Sequence, residues 1–185
     1  MVRLDEMASD PPKPVRFCLV RIDDRLLHGQ VVVNWVRTLR PRRIAIVDDE
    51  IATDGTTVSV LEATCPADLA LWVGTVAEAA TALVEQSPVP PADTMLLLRS
   101  PGQARALYDA GVCYEALNLG CLGAGAGRRR VHRQVSLSPD EMEALQYLAS
   151  VGVVVSIQAL PSHRAISLAT VLRSASRSRR RRPSA

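Results

Sequence analysis

Short apolar runs alternate along this chain with stretches whose apolar residues recur at helical spacing. The runs are FCLVRI (17–22), RRIAIVDD (42–49), DLALWVG (68–74), DTMLLLRS (93–100), YEALNLG (114–120), VHRQVSL (131–137) and GVVVSIQAL (152–160). Each is the length of a strand, and RIAIV and TMLLL are nearly unbroken, as strands buried on both faces are. Between the runs the spacing changes to i, i+3, i+4, i+7. Val32, Trp35, Val36 and Leu39 share one helical face after the first run. Val76, Ala79, Ala80 and Leu83 do so after the third, Ala104, Leu107, Tyr108 and Gly111 after the fourth, and Met142, Leu145 and Ala149 after the sixth. A last amphipathic stretch holds Ala165, Leu168, Ala169 and Leu172.

Helix starts are marked. Thr75-Val-Ala-Glu78 and Ser138-Pro-Asp-Glu141 read as capping boxes, and Ser100-Pro101 is a further cap. Strands alternating with helices predict an α/β fold: a three-layer, doubly wound, mainly parallel sheet with helices on both faces. The link from YEALNLG to VHRQVSL is glycine-rich and not helical, so those two strands are joined differently. One domain, residues 15–172, accounts for everything but a polar, proline-rich leader (1–14) and an arginine-rich tail (173–185).

Charge changes this picture at one end only. The net charge is +3, but the tail holds six arginines and no acid, so the rest of the chain carries about −3 by the same count. Such a tail could bind nucleic acid or an anionic surface. No aromatic residue is interleaved with the charge, and the chain has one lysine against 21 arginines, so a disordered extension is the preferred reading and nucleic acid is not an expected partner. No apolar run reaches the length of a membrane span, and the N-terminus lacks the apolar core of a signal peptide. Cys18, Cys65, Cys113 and Cys121 lie in or beside core segments and form no C-x-x-C pair. They read as reduced thiols of a cytosolic protein, and no metal site is expected.

In an open α/β sheet, ligands sit beyond the carboxyl ends of the strands. The loop there that carries most chemistry is RIDDRLLHGQVVVNW, Arg21 to Trp35. A neutral imidazole, His28, is a nucleophile near neutral pH and can form a phosphoramidate. Arg21 and Arg25 offer forked donors to phosphate oxygens. The amides of Gly29, Gln30 and Val31 open a helix whose positive end favours an anion. Asp23 can orient His28 or an arginine. From chemistry alone, two readings stand: a phosphohistidine loop, or a surface histidine among solvated charges.

A rival lies in IVDDEIATD, where paired acids after a strand resemble the pocket of a receiver domain. Such a pocket needs a lysine, and the chain's one lysine is Lys13, in the leader; the acids also follow the second strand, not the first. The receiver is rejected, and Asp48, Asp49 and Glu50 read as a loop and helix start. GCLGAGAGRRR lacks the lysine and Ser/Thr of a P-loop and reads as a flexible turn with solvated arginines at 128–130. His132 and His163 have no catalytic arrangement in sequence.

The first loop resembles the active-site signature of the IIB component of the mannose/fructose/sorbose-type bacterial phosphoenolpyruvate:sugar phosphotransferase system. That family's pattern, Arg-x-Asp-x-Arg-Leu-x-His-Gly-Gln-Val followed by a tryptophan, is met by Arg21, Asp23, Arg25, Leu26, His28, Gly29, Gln30, Val31 and Trp35. IVDDEIATD, MLLLRSP, EALNLG and VSLSPDEMEAL resemble further family segments, so the likeness covers about residues 17–160.

The resemblance implies a doubly wound sheet whose last strand is antiparallel. It implies a sugar phosphotransferase subunit, in which His28 takes a phosphoryl group on Nδ1 from a phosphorylated IIA partner. The group then passes to a sugar held by membrane IIC and IID partners. It also implies roles for Asp23 and Arg25 in shaping the loop and neutralising charge, and a place for Ser100 near the pocket. The only intermediate would be the covalent phosphohistidine, with no cofactor and no metal. The protein would sit in the cytoplasm, reach the inner membrane face through its partners, and could self-associate. The chain departs from the family after its fifth strand, where many members carry Gly-Gly and then Met-His or a similar pair, and this chain has Gly120-Cys121-Leu122-Gly123. That departure keeps an alternative open: a regulatory phosphocarrier that takes phosphate on His28 without serving transport.

Overall fold

The computed structural model describes residues 14–85 and 88–173. The expected leader, apart from Pro14, and the expected tail, apart from Arg173, lie outside these residues.

A seven-stranded sheet forms the middle layer. Its strands are β1 (Leu19–Ile22), β2 (Arg43–Val47), β3 (Ala70–Gly74), β4 (Thr94–Leu98), β5 (Ala116–Leu119), β8 (Val154–Ile157) and β9 (Ile166–Ser167). Their order is β3-β2-β4-β1-β5-β8-β9. Every pairing is parallel except β8 with β9, which is antiparallel. The expected α/β architecture and the antiparallel last strand are both present. β2 and β4 are buried at every position, which is why their sequences show no alternation.

Helices cover both faces. On one side α1 (residues 29–39) and α2 (Gly55–Thr64) bring Val31, Trp35, Val36 and Leu61 against Ile44, Ile46, Met95 and Leu97. On the other side lie α3 (Val76–Ala80), α4 (Pro101–Asp109) and α5 (Pro139–Ser150). They pack Ala79, Leu107, Leu145 and Leu148 against Val20, Ile22, Leu96, Leu98 and Leu119. The caps work as expected: Thr75 with Glu78 and Ser138 with Glu141 form reciprocal capping boxes, and Ser100 Oγ accepts from the Gln103 amide.

The structure corrects the linear pattern in four places. VHRQVSL is not one strand but a hairpin, β6 (Arg129–His132) and β7 (Val135–Leu137), in a sheet of its own. Two polar residues at its centre, Arg133 and Gln134, form the turn. α2 follows the second run, where no apolar stripe signals a helix. It is rich in Thr and Val and buries only Leu61, but Asp54 caps it by accepting from the Thr56 and Thr57 amides. α1 winds as a π-helix over Val31–Val36, and its fully buried residue in the first turn is Val31 rather than Val32. A π turn takes more residues per revolution than an α turn, so the apolar stripe moves by one position. In α5 the buried face ends on Leu148, and Ala149 is exposed.

Candidate active site

β1 is central, and its carboxyl end opens between the ends of β4 and β5. The backbone stitches the three together there. Asp23 N–H donates to Leu98 O (3.0 Å), Gly120 N–H to Ile22 O (2.8 Å) and Asp24 N–H to Cys121 O (3.0 Å). The chain then turns sharply. Leu26 N–H donates to Asp23 O at 2.9 Å, and Leu26 itself adopts φ +50°, unusual for a residue with a Cβ. Leu26 and Leu27 are both buried in the α1 core. Their anchorage fixes the loop so that Arg25 points to solvent, its side chain 54% exposed, and His28 sits at the rim.

Asp23 is the centre of the site and is fully buried. Its Oδ2 accepts from Arg21 Nη2 at 2.8 Å, and its Oδ1 accepts from the Arg25 amide at 3.3 Å. The same Oδ1 lies 3.3 Å from His28 Nε2, which is buried and off the line of a hydrogen bond. The Arg25 Nε stands 4.0 Å from this oxygen. Nδ1 is therefore the ring nitrogen not engaged by the carboxylate. Burial holds the imidazole below its ordinary pKa; Asp23 opposes this, and Arg25 and Arg21 reinforce it. The ring is thus kept neutral, with a lone pair free to attack.

Gly29 and Gln30 open α1 where expected. The first amide to bond back along the helix is that of Val32, to His28 O (3.0 Å), which leaves the three preceding amides as first-turn donors. Gln30 also accepts from Arg25 Nη2 at 3.2 Å, holding that guanidinium beside the helix start.

Arg21 corrects the expectation of an open phosphate donor. It is 3% exposed. Its Nη1 donates to Asn118 Oδ1 (2.5 Å) and Gln158 O (3.0 Å), its Nη2 to Asp23, and its guanidinium carbon lies 5.1 Å from the Trp35 ring centroid. With its terminal donors committed, Arg21 positions Asp23 rather than reaching for a ligand. Asn118 holds Arg21 and Gly120 makes room for it, two roles that sequence reasoning missed. A Cβ at Gly120 would stand 1.9 Å from Arg21 Nη2, so only glycine leaves the slot open. The signal was there: an asparagine inside ALNLG is a polar side chain in a buried strand.

Ser100 spends its hydroxyl on capping α4 and makes no hydrogen bond to His28. It lines a cleft of about 530 Å³ with Asp24, Glu50, Arg99 and Arg128. Asp48, read as part of a loop and helix start, is fully buried and organises one wall. It accepts from the Glu50 and Ile51 amides, from Gln103 Nε2 (2.6 Å) and from Arg99, whose Nε lies 2.8 Å away. On the other wall Arg128 is not a solvated arginine. It grips Glu141 with Nε (3.0 Å) and Nη2 (2.5 Å) and donates to Gly123 O, while the Gly123 amide donates to Asp24 Oδ2. The glycine-rich loop is therefore tied down beside the His28 loop.

The cysteines are free thiols, and among the described residues no group of three or more His, Cys, Asp or Glu could hold a metal ion. No helix of the described residues is long and apolar enough to cross a membrane.

Comparison with known proteins agrees with this architecture. The chain is 30% identical over 156 residues to the fructose-specific EIIB component of Bacillus subtilis, a match spanning 84% of this chain and 94% of that protein. It is 30% identical over 141 residues to the mannose-specific EIIAB component of Escherichia coli, covering 76% of this chain and 43% of that longer protein. The crystal structure of manxB from Thermoanaerobacter tengcongensis superposes with a TM-score of 0.77 at 30% identity, covering 85% of this chain and 95% of that one. The profile of the sorbose-subfamily IIB component of the phosphotransferase system matches residues 17–182, and the chain belongs to that family.

Proposed function

We propose that His28 accepts a phosphoryl group from a phosphorylated IIA protein and passes it to a sugar during uptake through IIC and IID partners. IIB components are phosphotransferases as a family, and the geometry around His28 supports the phosphoryl-acceptor part of the reading. The observation that carries it is the Asp23–His28 pair: a fully buried carboxylate 3.3 Å from Nε2, with Nδ1 unengaged.

The chemistry follows from that pairing. The Nδ1 lone pair attacks phosphorus, the donor's N–P bond breaks and a new N–P bond forms on Nδ1. The proton stays on Nε2, where the ring gains positive charge facing Asp23 Oδ1. Arg21 holds Asp23 aimed. Arg25, exposed beside Gln30, and the first-turn amides of α1 face the transferring oxygens and offset their charge. In the second transfer a sugar hydroxyl oxygen bonds to phosphorus as its proton passes to water, the N–P bond on His28 breaks and the imidazole leaves neutral, its Nε2 proton still in place. Burial of Nε2 assists departure, because it disfavours the charged phospho-imidazolium. No cofactor is needed beyond the phosphoryl group. A protein in this role works in the cytoplasm, at the inner membrane face.

The test is incubation with a phosphorylated IIA protein and intact-mass readout. The wild type should gain one phosphate, acid-labile and base-stable, and His28→Ala should gain none. Labelling that survives in His28→Ala refutes the assignment.

A further inference from the structure

The chain has three histidines, and the proposed transfer uses one. The fold brings the other two together. His132 and Arg133 stand at the tip of the β6–β7 hairpin, and His163 and Arg164 lie on the loop between β8 and β9. Both His-Arg pairs line one recess of about 340 Å³. Gln134, Gln158, Ala159 and two isoleucines complete its walls, and no carboxylate lines it.

Three observations say what this recess takes. Ion pairs claim Arg21, Arg99, Arg105 and Arg128, whereas Arg133 and Arg164 are exposed and enter none among the described residues. His132 is half-buried in the recess wall. The cations come from two different elements facing one space, so they repel each other unless an anion sits between them. Guanidinium pairs match phosphate oxygens in fork geometry, and the charge excludes a metal ion as the occupant.

The recess is also built on the active site's own support. Gln158 O accepts from Arg21 Nη1, and Ala159 O accepts from Trp35 Nε1 at 3.1 Å. The Gln158 side chain donates to His163 O at 2.7 Å and to Pro161 O at 3.3 Å, which holds the His163–Arg164 loop in place. Gln158 and Ala159 thus face the Arg21–Asp23 pair on one side and the recess on the other.

We infer that this recess binds a small phosphate monoester, its phosphate held between the His132–Arg133 and His163–Arg164 pairs. Its volume admits a sugar phosphate, the chemical class that the transfer would release; that choice of ester rests on the proposed function, while the anion site does not. Phosphate alone shares the recognition chemistry, so the two sources are separated by experiment.

With three histidines the imidazole Hε1 signals can each be assigned in a proton NMR spectrum of the full chain. Orthophosphate and glucose 6-phosphate are titrated in parallel at fixed pH and ionic strength. The His132 and His163 signals should move together, saturably and with one midpoint. A tighter midpoint for glucose 6-phosphate assigns the ester, and equal midpoints assign phosphate itself; both support the site. Arg133→Ala/Arg164→Ala, on exposed positions, should weaken binding about ten-fold or more, since it removes two charge-assisted contacts. Arg129→Ala/Arg130→Ala removes the same amount of charge, here from the hairpin alone, and should leave the midpoint within about two-fold. No saturable shift at His132 and His163 up to about 50 mM of either anion overturns the site, as does equal weakening in the two double variants. Labelling of His28 without this binding sinks the recess alone; binding without labelling sinks the proposed function alone.

Discussion

Gly120→Ala is the smallest change that should dismantle the candidate site. Gly120 is not in the left-handed region, so alanine costs nothing in backbone strain there. The cost is steric. The added Cβ would meet Arg21 Nη2 at 1.9 Å, Cζ at 2.1 Å and Nε at 2.7 Å. Arg21 cannot step aside cheaply, because it is held by Asn118, Asp23, the Gln158 carbonyl and the Trp35 ring. Pushing it out leaves Asp23, which has no exposure, as a buried carboxylate without its cation. Breaking one side of such a pair costs about 3–5 kcal/mol. Urea unfolding should therefore show a midpoint well below wild type with an unchanged slope. Phosphoryl acceptance should fall in parallel, because Asp23 no longer faces Nε2. The control is Gly123→Ala, whose Cβ would meet only the tip of Asp24 at 3.2 Å, and this should cost under about 1 kcal/mol. The decisive step is a double-mutant cycle: in an Arg21→Ala background the Gly120→Ala change should cost almost nothing. A Gly120→Ala protein as stable as wild type, or a penalty that persists without Arg21, would refute the reasoning.

The remaining predictions test charge and support separately. His28 has its pKa lowered by burial in the folded protein, so below its ordinary value of 6.5 the unfolded chain binds more protons. Stability should then decline as pH falls from about 6.5 toward the folded-state pKa, and His28→Gln should remove that part of the slope in urea titrations at several pH values. Asp23→Asn deletes the carboxylate that raises the His28 pKa, so the acidic limb of the phosphorylation rate should move to lower pH and the plateau rate should drop; an unmoved limb counts against the pairing. Arg25→Ala should slow acceptance by about 10²-fold while moving stability by under about 0.5 kcal/mol, because its side chain is half exposed, with a hydrogen bond to Gln30 and a long 4.0 Å approach to Asp23; matched melting curves and single-turnover rates check both halves. Asp48→Ala leaves Arg99 and Gln103 and two amides without their shared acceptor, and should cost about 3–5 kcal/mol in denaturant, whereas Asp49→Ala, at an exposed acid, should cost about 1 kcal/mol.

What sequence could and could not show divides along physical lines. Periodicity and caps carry through to the structure because they are local: RIAIV and TMLLL are buried strands, and Thr75-x-x-Glu78 closes on itself within one turn. The loop from Arg21 to Trp35 was legible for the same reason, since its chemistry lies within fifteen residues of one strand end. Roles that depend on distant partners were not. Arg21 and Arg25 look equivalent two positions either side of Asp23, yet one is buried against Asn118, which lies 97 residues away, and the other is exposed. No local rule separates them; only the parallel pairing of β1 with β5, which sets Arg21 opposite Asn118, does so. Arg128 reads as a solvated charge for the same reason, because Glu141, which pairs with it, comes from another element; Asp48 does stand at a loop and helix start, but Arg99 and Gln103, which also bind it, lie about fifty residues on. The two His-Arg pairs reverse the case. Each is unremarkable where it stands in the chain, and they acquire a joint meaning only when the hairpin tip and the β8–β9 loop meet. The positions most worth mutating are accordingly those where one polar residue interrupts an apolar strand, as Asn118 does. Burial forces such a side chain to find a partner, and the partner it finds is the one that organises the site.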